Sequence, residues 1–299
     1  MIAVLSGILV PVFIIAGIGF GWAKAGLPLD RSFVSRLVIN VATPCLILDS
    51  VSKLGLPLSE FTTMLASALA MYLSAALGAA LILRLAGLPL RSFLPSMTFG
   101  NAGNIGLPLA YFAFGDEGLG LSAGVFLVAV VLQFTLAPAL QDGRPALKTL
   151  ATTPVVYGSA LGVTLLATGA VLPAWLDRTV GLLGNIAIPL ALLTLGFALA
   201  EFRIRRASIA IGLGLGRLAL GFGVALGVSE VLGLTGLARS VLILNGGMPT
   251  AVVCYLLAER YGCDPDDVAG VVLVSTLTAA FLLPFLVAYA LWLEGSLPV

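Results

Sequence analysis

Histidine is absent from the chain, and charged residues fill only 10% of its 299 positions. The first absence removes His-dependent triads, His-ligated metals and haem together, because each needs an imidazole as base or ligand. Cysteine is scarce: Cys45, Cys254 and Cys263 lie far apart without C-x-x-C spacing, which argues against a disulfide framework and leaves them as packing residues. Acidic and basic residues nearly balance, for a net charge of +1, so nothing points to a nucleic-acid partner. No P-loop occurs, which argues against ATP-driven work by this polypeptide. One G-x-S-x-G match, Gly120 to Gly124, lies in an apolar helical run with no strand before it and no histidine to activate the serine. No catalytic residue, cofactor or metal is therefore expected.

What the chain does contain is apolar: 60% of residues are hydrophobic, and mean hydropathy is +1.14. A soluble domain cannot expose such a surface, so the expected class is an all-α integral membrane protein. A hydrocarbon layer of about 30 Å takes roughly 20 helical residues. The chain divides into ten such spans, at 2–22, 33–51, 61–84, 91–114, 118–139, 153–171, 177–200, 207–231, 238–259 and 266–292. These runs are continuous and rich in Leu, Ala and Gly, whereas barrel strands alternate over about ten residues. The N-terminal run "MIAVLSGILVPVFIIAGIGF" has no basic segment before it and reads as the first span rather than a signal.

The two halves match in order. Span 2 carries "NVATP" (Asn40 to Pro44) and span 7 "NIAIP" (Asn185 to Pro189). Span 4 carries "NIGLP" (Asn104 to Pro108) and span 9 "NGGMP" (Asn245 to Pro249). "AGVFLV" from Ala123 in span 5 answers "AGVVLV" from Ala269 in span 10, and "PV" and "RS" pairs follow the same order. Five spans per half is an odd number, so the second half enters the membrane from the opposite face. The expected organisation is two inverted five-helix repeats, 1–140 and 153–299, joined by a short cytoplasmic linker at 141–152.

Basic residues set the orientation. Lys24, Arg31, Arg36, Arg84, Arg91, Arg144, Lys148, Arg203, Arg205, Arg206 and either Arg239 or Arg260 collect on one side, against chiefly Lys53 and Arg178 on the other. The crowded side is expected to be cytoplasmic, with both termini outside.

The stretch "GNAGNIGLPLA", Gly100 to Ala110, interrupts an otherwise apolar span with asparagine, glycine and proline. Such residues free backbone groups that survive in a bilayer only where protein or a wet cavity satisfies them. Two broken spans crossing near the midplane would aim helix N-termini and C-termini at one spot. Pro108 and Pro249 suit the start of the second half-helix, where a missing N–H costs little. Asn101, Asn104 and Asn245 then face one site suited to an anion or polar solute. Arg217, deep in span 8, has two readings: a bidentate grip on a carboxylate substrate, or a structural pairing with Asp49, Glu230 or helix-end carbonyls. Gln133, Tyr72, Ser74, Thr276 and Thr278 are polar residues of spans 5, 3 and 10, suited to interhelical hydrogen bonds or to ligand contact. Asn40 and Asn185 are read as scaffold supports.

At "GNAGNIGLPLA" and "NGGMPTAVVCYLLA" the chain resembles the auxin efflux carrier family, within the wider bile acid/sodium symporter-like group. The resemblance covers essentially the whole chain. It implies ten helices as two inverted repeats with broken, crossing helices 4 and 9. Spans 1, 2, 6 and 7 would form a scaffold, and spans 3–5 and 8–10 a transport domain sliding as an elevator. It further implies a substrate site at the crossing on Asn104, Pro108, Asn245 and Pro249, with a homodimer through the scaffold. The family's substrates are organic anions: auxin in plants, and malonate, malate or similar carboxylates in bacterial members. This chain lacks a long cytoplasmic loop and an acidic residue inside span 3, which shifts the expectation from auxin to a small mono- or dicarboxylate. A bacterial inner membrane is the expected location.

Acidic residues sit only at the ends of spans 4, 5, 9 and 10, so no obvious acid is placed to couple a cation. An inside-negative potential favours anion export by about 2.3 kcal/mol per charge per 100 mV. Potential-driven export is the leading expectation. A sodium- or proton-coupled symporter and a non-transporting receptor are the alternatives.

Overall fold

The computed structural model describes residues 2–143 and 147–295, so Arg144 of the expected basic side lies outside the described residues. Those described are helical, with no strand beyond one isolated bridge. Seven stretches among them are long and apolar enough to cross a membrane. The protein is an all-α, multi-pass membrane protein.

The first half contains α1 (Ile2–Lys24), α2 (Arg31–Leu37), α3 (Thr43–Ser52), α4 (Leu58–Leu85), α5 (Leu90–Thr98) and α6 (Leu107–Asp142). After α7 (Leu147–Ala151) come α8 (Pro154–Thr168), α9 (Ala174–Asn185), α10 (Ala187–Glu201), α11 (Ala207–Val231), α12 (Gly236–Gly246), α13 (Val252–Tyr261) and α14 (Pro265–Glu294). With its 36 residues, α6 would measure about 54 Å if straight, well beyond a hydrocarbon layer. It bends at Gly115, whose φ of 66° and ψ of −154° suit glycine and break the helix between spans 4 and 5.

The four Asn/Pro motifs take two structural forms. In the first half, π-helical turns at Val38–Ala42 and Ala102–Gly106 lead directly into Thr43-Pro44 and Leu107-Pro108. The wider π winding carries the chain past a proline that has no N–H to offer and whose ring crowds the preceding turn. Helical winding thus starts six residues before Pro108, not at it. In the second half α9 stops at Asn185 and α10 restarts at Ala187. Pro249 sits in a fully non-helical gap between α12 and α13.

Packing divides the helices. α1 lies on α10, and α3 on α8 and α9; elsewhere α11 packs against α14, α12 and α4. Small residues bring backbones together: a methyl at Gly158 would sit 2.7 Å from the Pro44 carbonyl oxygen, and one at Gly184 2.9 Å from Leu46 Cα.

Polar contacts concentrate at the helix ends. Lys53 bridges Asp49 and Asp177 at 2.7 and 2.8 Å. The hydrogen bond from Lys53 to Asp177, then that to Asp49, raises the ammonium above its ordinary value. Arg239 pairs with Glu230 at 2.7 Å, whereas Arg260 closes α13 beside the start of α14, so the two arginines lie at opposite ends of span 9. Arg206 donates from Nε to the buried Asp267 at 2.9 Å, and Arg205 pairs with Asp266. Arg206→Ala leaves that carboxylate without its hydrogen-bonded cation and is expected to lower stability, read as a fall in melting temperature. Arg205→Ala, whose partners are both exposed, should change little.

Candidate functional site

The two interruptions meet. Between α5 and the π turn, the Asn101 backbone amide donates to the Pro249 carbonyl at 2.7 Å, and the Ala251 amide donates to the Phe99 carbonyl at 3.0 Å. Gly100 and Thr250 thereby form a single antiparallel bridge. Side chains complete the joint: the Thr250 hydroxyl donates to the Ser96 carbonyl at 3.0 Å, and Ser275 Oγ accepts from the Thr250 amide at 3.1 Å. Each unwound segment satisfies the other, which is how non-helical backbone persists at membrane depth.

A cavity of about 560 Å³ opens beside this crossing, within the range of small-molecule sites. One wall is the interrupted region itself, Gly100 to Asn104 and Ala251 to Val253, with Phe126, Gln133 and Phe134 of α6. The facing wall comes from the other helices: Arg36, Asn40 and Thr43 from α2 to α3, Thr153 and Val155 at the start of α8, and Ala187 to Ala198 of α10. These lie from the middle of their helices toward the end that carries Arg36 and Thr153. Arg36 is the one cationic side chain among the described lining residues, and none of them is Asp or Glu.

The electrostatics follow from chain direction. Both second half-helices, the winding that begins at Ala102 and α13 that begins at Val252, present their N-terminal turns to the cavity. Helix N-termini carry partial positive charge and attract anions. Asn101 caps the first of them, its Oδ1 accepting from the Asn104 amide at 3.2 Å. Its Nδ2 is buried and has no hydrogen-bond partner among the described residues.

The expected site residues separate into two groups. Asn101, Asn104 and Gln133 line the cavity; Pro108, Asn245, Pro249 and Arg217 do not. Asn245 is wholly buried, and its Nδ2 donates to Ser122 Oγ and the Val241 carbonyl, both at 3.0 Å. Gly106 leaves room for that amide, since a methyl there would collide with Asn245 Oδ1. Asn245 therefore fastens the α12 end to α6. Pro249 supplies the carbonyl that accepts from Asn101, and Pro108 follows the π turn. Arg217 is 1% exposed and has neither carboxylate considered for it, since Asp49 holds Lys53 and Glu230 holds Arg239. Tyr72 is buried within electrostatic reach of Arg217, Ser74 is exposed, and Thr276 borders a separate apolar cleft. Asn40, read as scaffold support, borders the cavity while donating to the Arg36 carbonyl, whereas Asn185 is exposed. Arg36 carries no motif that marks it, and Thr43 lies within "NVATP" without being singled out; their part depends on which helix faces them.

Crossed broken helices, a largely apolar cavity with a few asparagine, glutamine and hydroxyl side chains, and a multi-pass apolar body together describe a membrane transport protein. The family described as "Membrane transport protein" matches residues 4–148 and 141–287, two stretches that overlap at 141–148 near the middle of the chain. The chain belongs to that family, the auxin efflux carrier family that its broken spans resemble. An "Uncharacterized transporter" of Methanothermobacter thermautotrophicus is 32% identical over 276 residues, covering 85% of this chain and 87% of that relative. A second, from Methanocaldococcus jannaschii, is 27% identical over 204 residues, 64% of each chain.

Proposed function

We propose that the protein is a secondary transporter of small organic anions, with mono- or dicarboxylates such as malonate or malate as its substrate class. The observation that carries this reading is the cavity edged by two half-helix N-termini, with the unpartnered Asn101 amide beside them and no acidic lining residue. A carboxylate there gains from both helix ends at once. Asn104 and Gln133 add neutral donors and acceptors.

Alternating access follows an elevator scheme. α1, α2–α3, α8 and α9–α10 form the scaffold through which two copies associate; α4–α6 and α11–α14 form the transport domain that carries the cavity past it. The cavity lining includes Ser35, Arg36 and Thr153 at the end expected to be cytoplasmic, which supports an inward-facing state of an inner-membrane protein with both termini outside. Binding from the cytoplasm and release outside, driven by membrane potential, gives export.

The test is flux of radiolabelled malonate or malate in proteoliposomes with clamped voltage and no cation gradient. Flux that grows with potential, about tenfold for each 1.4 kcal/mol of driving force at most, is the expected result. Flux indifferent to voltage yet strictly dependent on sodium or protons would make the protein a symporter. Carboxylate binding with no flux under any gradient would make it a receptor.

A further inference from the structure

Arg217 is a fully buried cation, and no carboxylate lies against it among the described residues. Its surroundings are glycine and the ends of helices. A methyl at Gly100 would collide with Nη2 and come within 3.3 Å of the Asn245 carbonyl oxygen. A methyl at Gly221 would collide both with Nη1 and with the Gly246 carbonyl oxygen. The guanidinium is thus threaded through a slot kept open by glycines on two segments, Gly100 and Gly221. That slot lies beside the last turn of α12 and just past the end of α5. Nε and Nη1 have no hydrogen-bonded partner.

The crossing is therefore polarised. The two N-terminal half-helix ends face the cavity, and the Arg217 guanidinium lies between Gly100, two residues past α5, and Gly221, which meets the Gly246 carbonyl at the end of α12. The last turn of a helix leaves carbonyls without intrahelical partners and carries partial negative charge, which favours a cation. In broken-helix transporters such carbonyls and C-terminal ends are where a coupling cation is held. Here a side chain of the protein occupies that position.

We propose that Arg217 is a resident cation: it neutralises the C-terminal ends of both broken helices in the place a coupling metal ion would take, so that anion transport proceeds without one. This rests on the transporter reading, but its primary test does not require substrate. It makes Arg217 a positioning residue rather than a ligand of the transported anion.

The experiment compares full-length wild type, Arg217→Lys, Arg217→Gln and Arg217→Ala. Thermal unfolding in detergent is measured in choline, sodium and low-millimolar guanidinium chloride, without substrate. Wild type should melt at one temperature in all three. Arg217→Ala should melt lower and recover by roughly 5 °C with guanidinium or sodium, because a cation bound only by the folded state stabilises it. Arg217→Lys should retain most of the wild-type melting temperature, and Arg217→Gln should not. In proteoliposomes, flux by Arg217→Ala should rise with sodium while wild-type flux does not.

Arg217→Gln melting like wild type, with no response to cations, would overturn the proposal. So would a wild-type melting temperature that falls when chloride is replaced by gluconate, since a bound anion would then be the partner. Should Arg217→Ala not fold, Arg217→Lys decides: a lysine variant as unstable as the glutamine variant overturns the charge requirement. Absence of flux in wild type would defeat the transporter reading while leaving the cation dependence of unfolding to be read separately.

Discussion

Gly221→Val is expected to leave no monodisperse, folded protein after extraction from the membrane. At this point α11 and α12 meet glycine to glycine. A methyl at Gly246 would lie 2.7 Å from the Gly221 carbonyl oxygen and collide with Ala225 Cβ; one at Gly221 would strike the Gly246 carbonyl oxygen and Arg217. The Gly221 and Gly246 backbones face each other, so movement of the Arg217 end alone cannot relieve the clash. Overpacking a core costs about 1–3 kcal/mol where neighbours can shift, and more where they cannot. Separating α11 from α12 would also displace the α12 end that carries Asn245 and the slot that holds Arg217. Gly223→Val is the control, because nothing lies within 4 Å of a methyl there. Fluorescence-detected size exclusion of the solubilised variants reads the outcome: a sharp Gly221→Val peak with wild-type thermal stability would contradict this packing.

Asn101→Ala and Asn245→Ala should separate binding from stability. Asn101 lines the cavity, and a side-chain hydrogen bond to an ionised ligand there would contribute about 1.5–3 kcal/mol. Its loss should weaken carboxylate binding by roughly ten- to a hundredfold. The loss of an N-cap lowers stability by only about 1 kcal/mol. Asn245 spends its donors on Ser122 and Val241 inside the protein. Asn245→Ala should therefore lower stability by about 1–3 kcal/mol and leave affinity near wild type. Titration calorimetry and thermal unfolding on the same samples give both values. Affinity lost with Asn245→Ala but kept with Asn101→Ala would invert the arrangement.

Much of the body plan was legible in the sequence, because partition into hydrocarbon is nearly additive along a chain. Apolar runs bounded by Lys24, Lys53, Arg84 and Arg203 are enough to locate spans whose helices end at Lys24, Ser52, Leu85 and Glu201. The Gly/Asn/Pro clusters marked the two interruptions for a local reason: a helix cannot pass them unchanged, whatever surrounds it. Pro108 shows the reach of that argument. Its motif marks a disturbance, yet the π turn that absorbs it starts upstream at Ala102.

The two asparagines of the matched motifs show where local reading stops. Asn104 and Asn245 occupy equivalent positions in the two halves, so pattern alone assigns them one role. In the folded protein Asn104 borders the cavity, while Asn245 is sealed against Ser122 in the space beside Gly106. The two halves repeat the motif, but the cavity is lined by Asn104 and not by Asn245, so the folded chain treats matched residues differently. Arg36 and Asn40 went unmarked as lining residues for a related reason. They belong to the wall opposite the crossing, and the gap between walls is a property of two surfaces, not of either segment.

Composition, the order of polar interruptions and their repetition thus suffice for a helical membrane protein with a duplicated chain and two broken spans, since each is a free-energy preference carried by neighbouring residues. Packing alone assigns Asn101 to the cavity, Asn245 to the joint and Arg217 to the far side of the crossing. Those assignments depend on which helix ends approach one another across more than a hundred residues of chain, and on the glycines that let them touch.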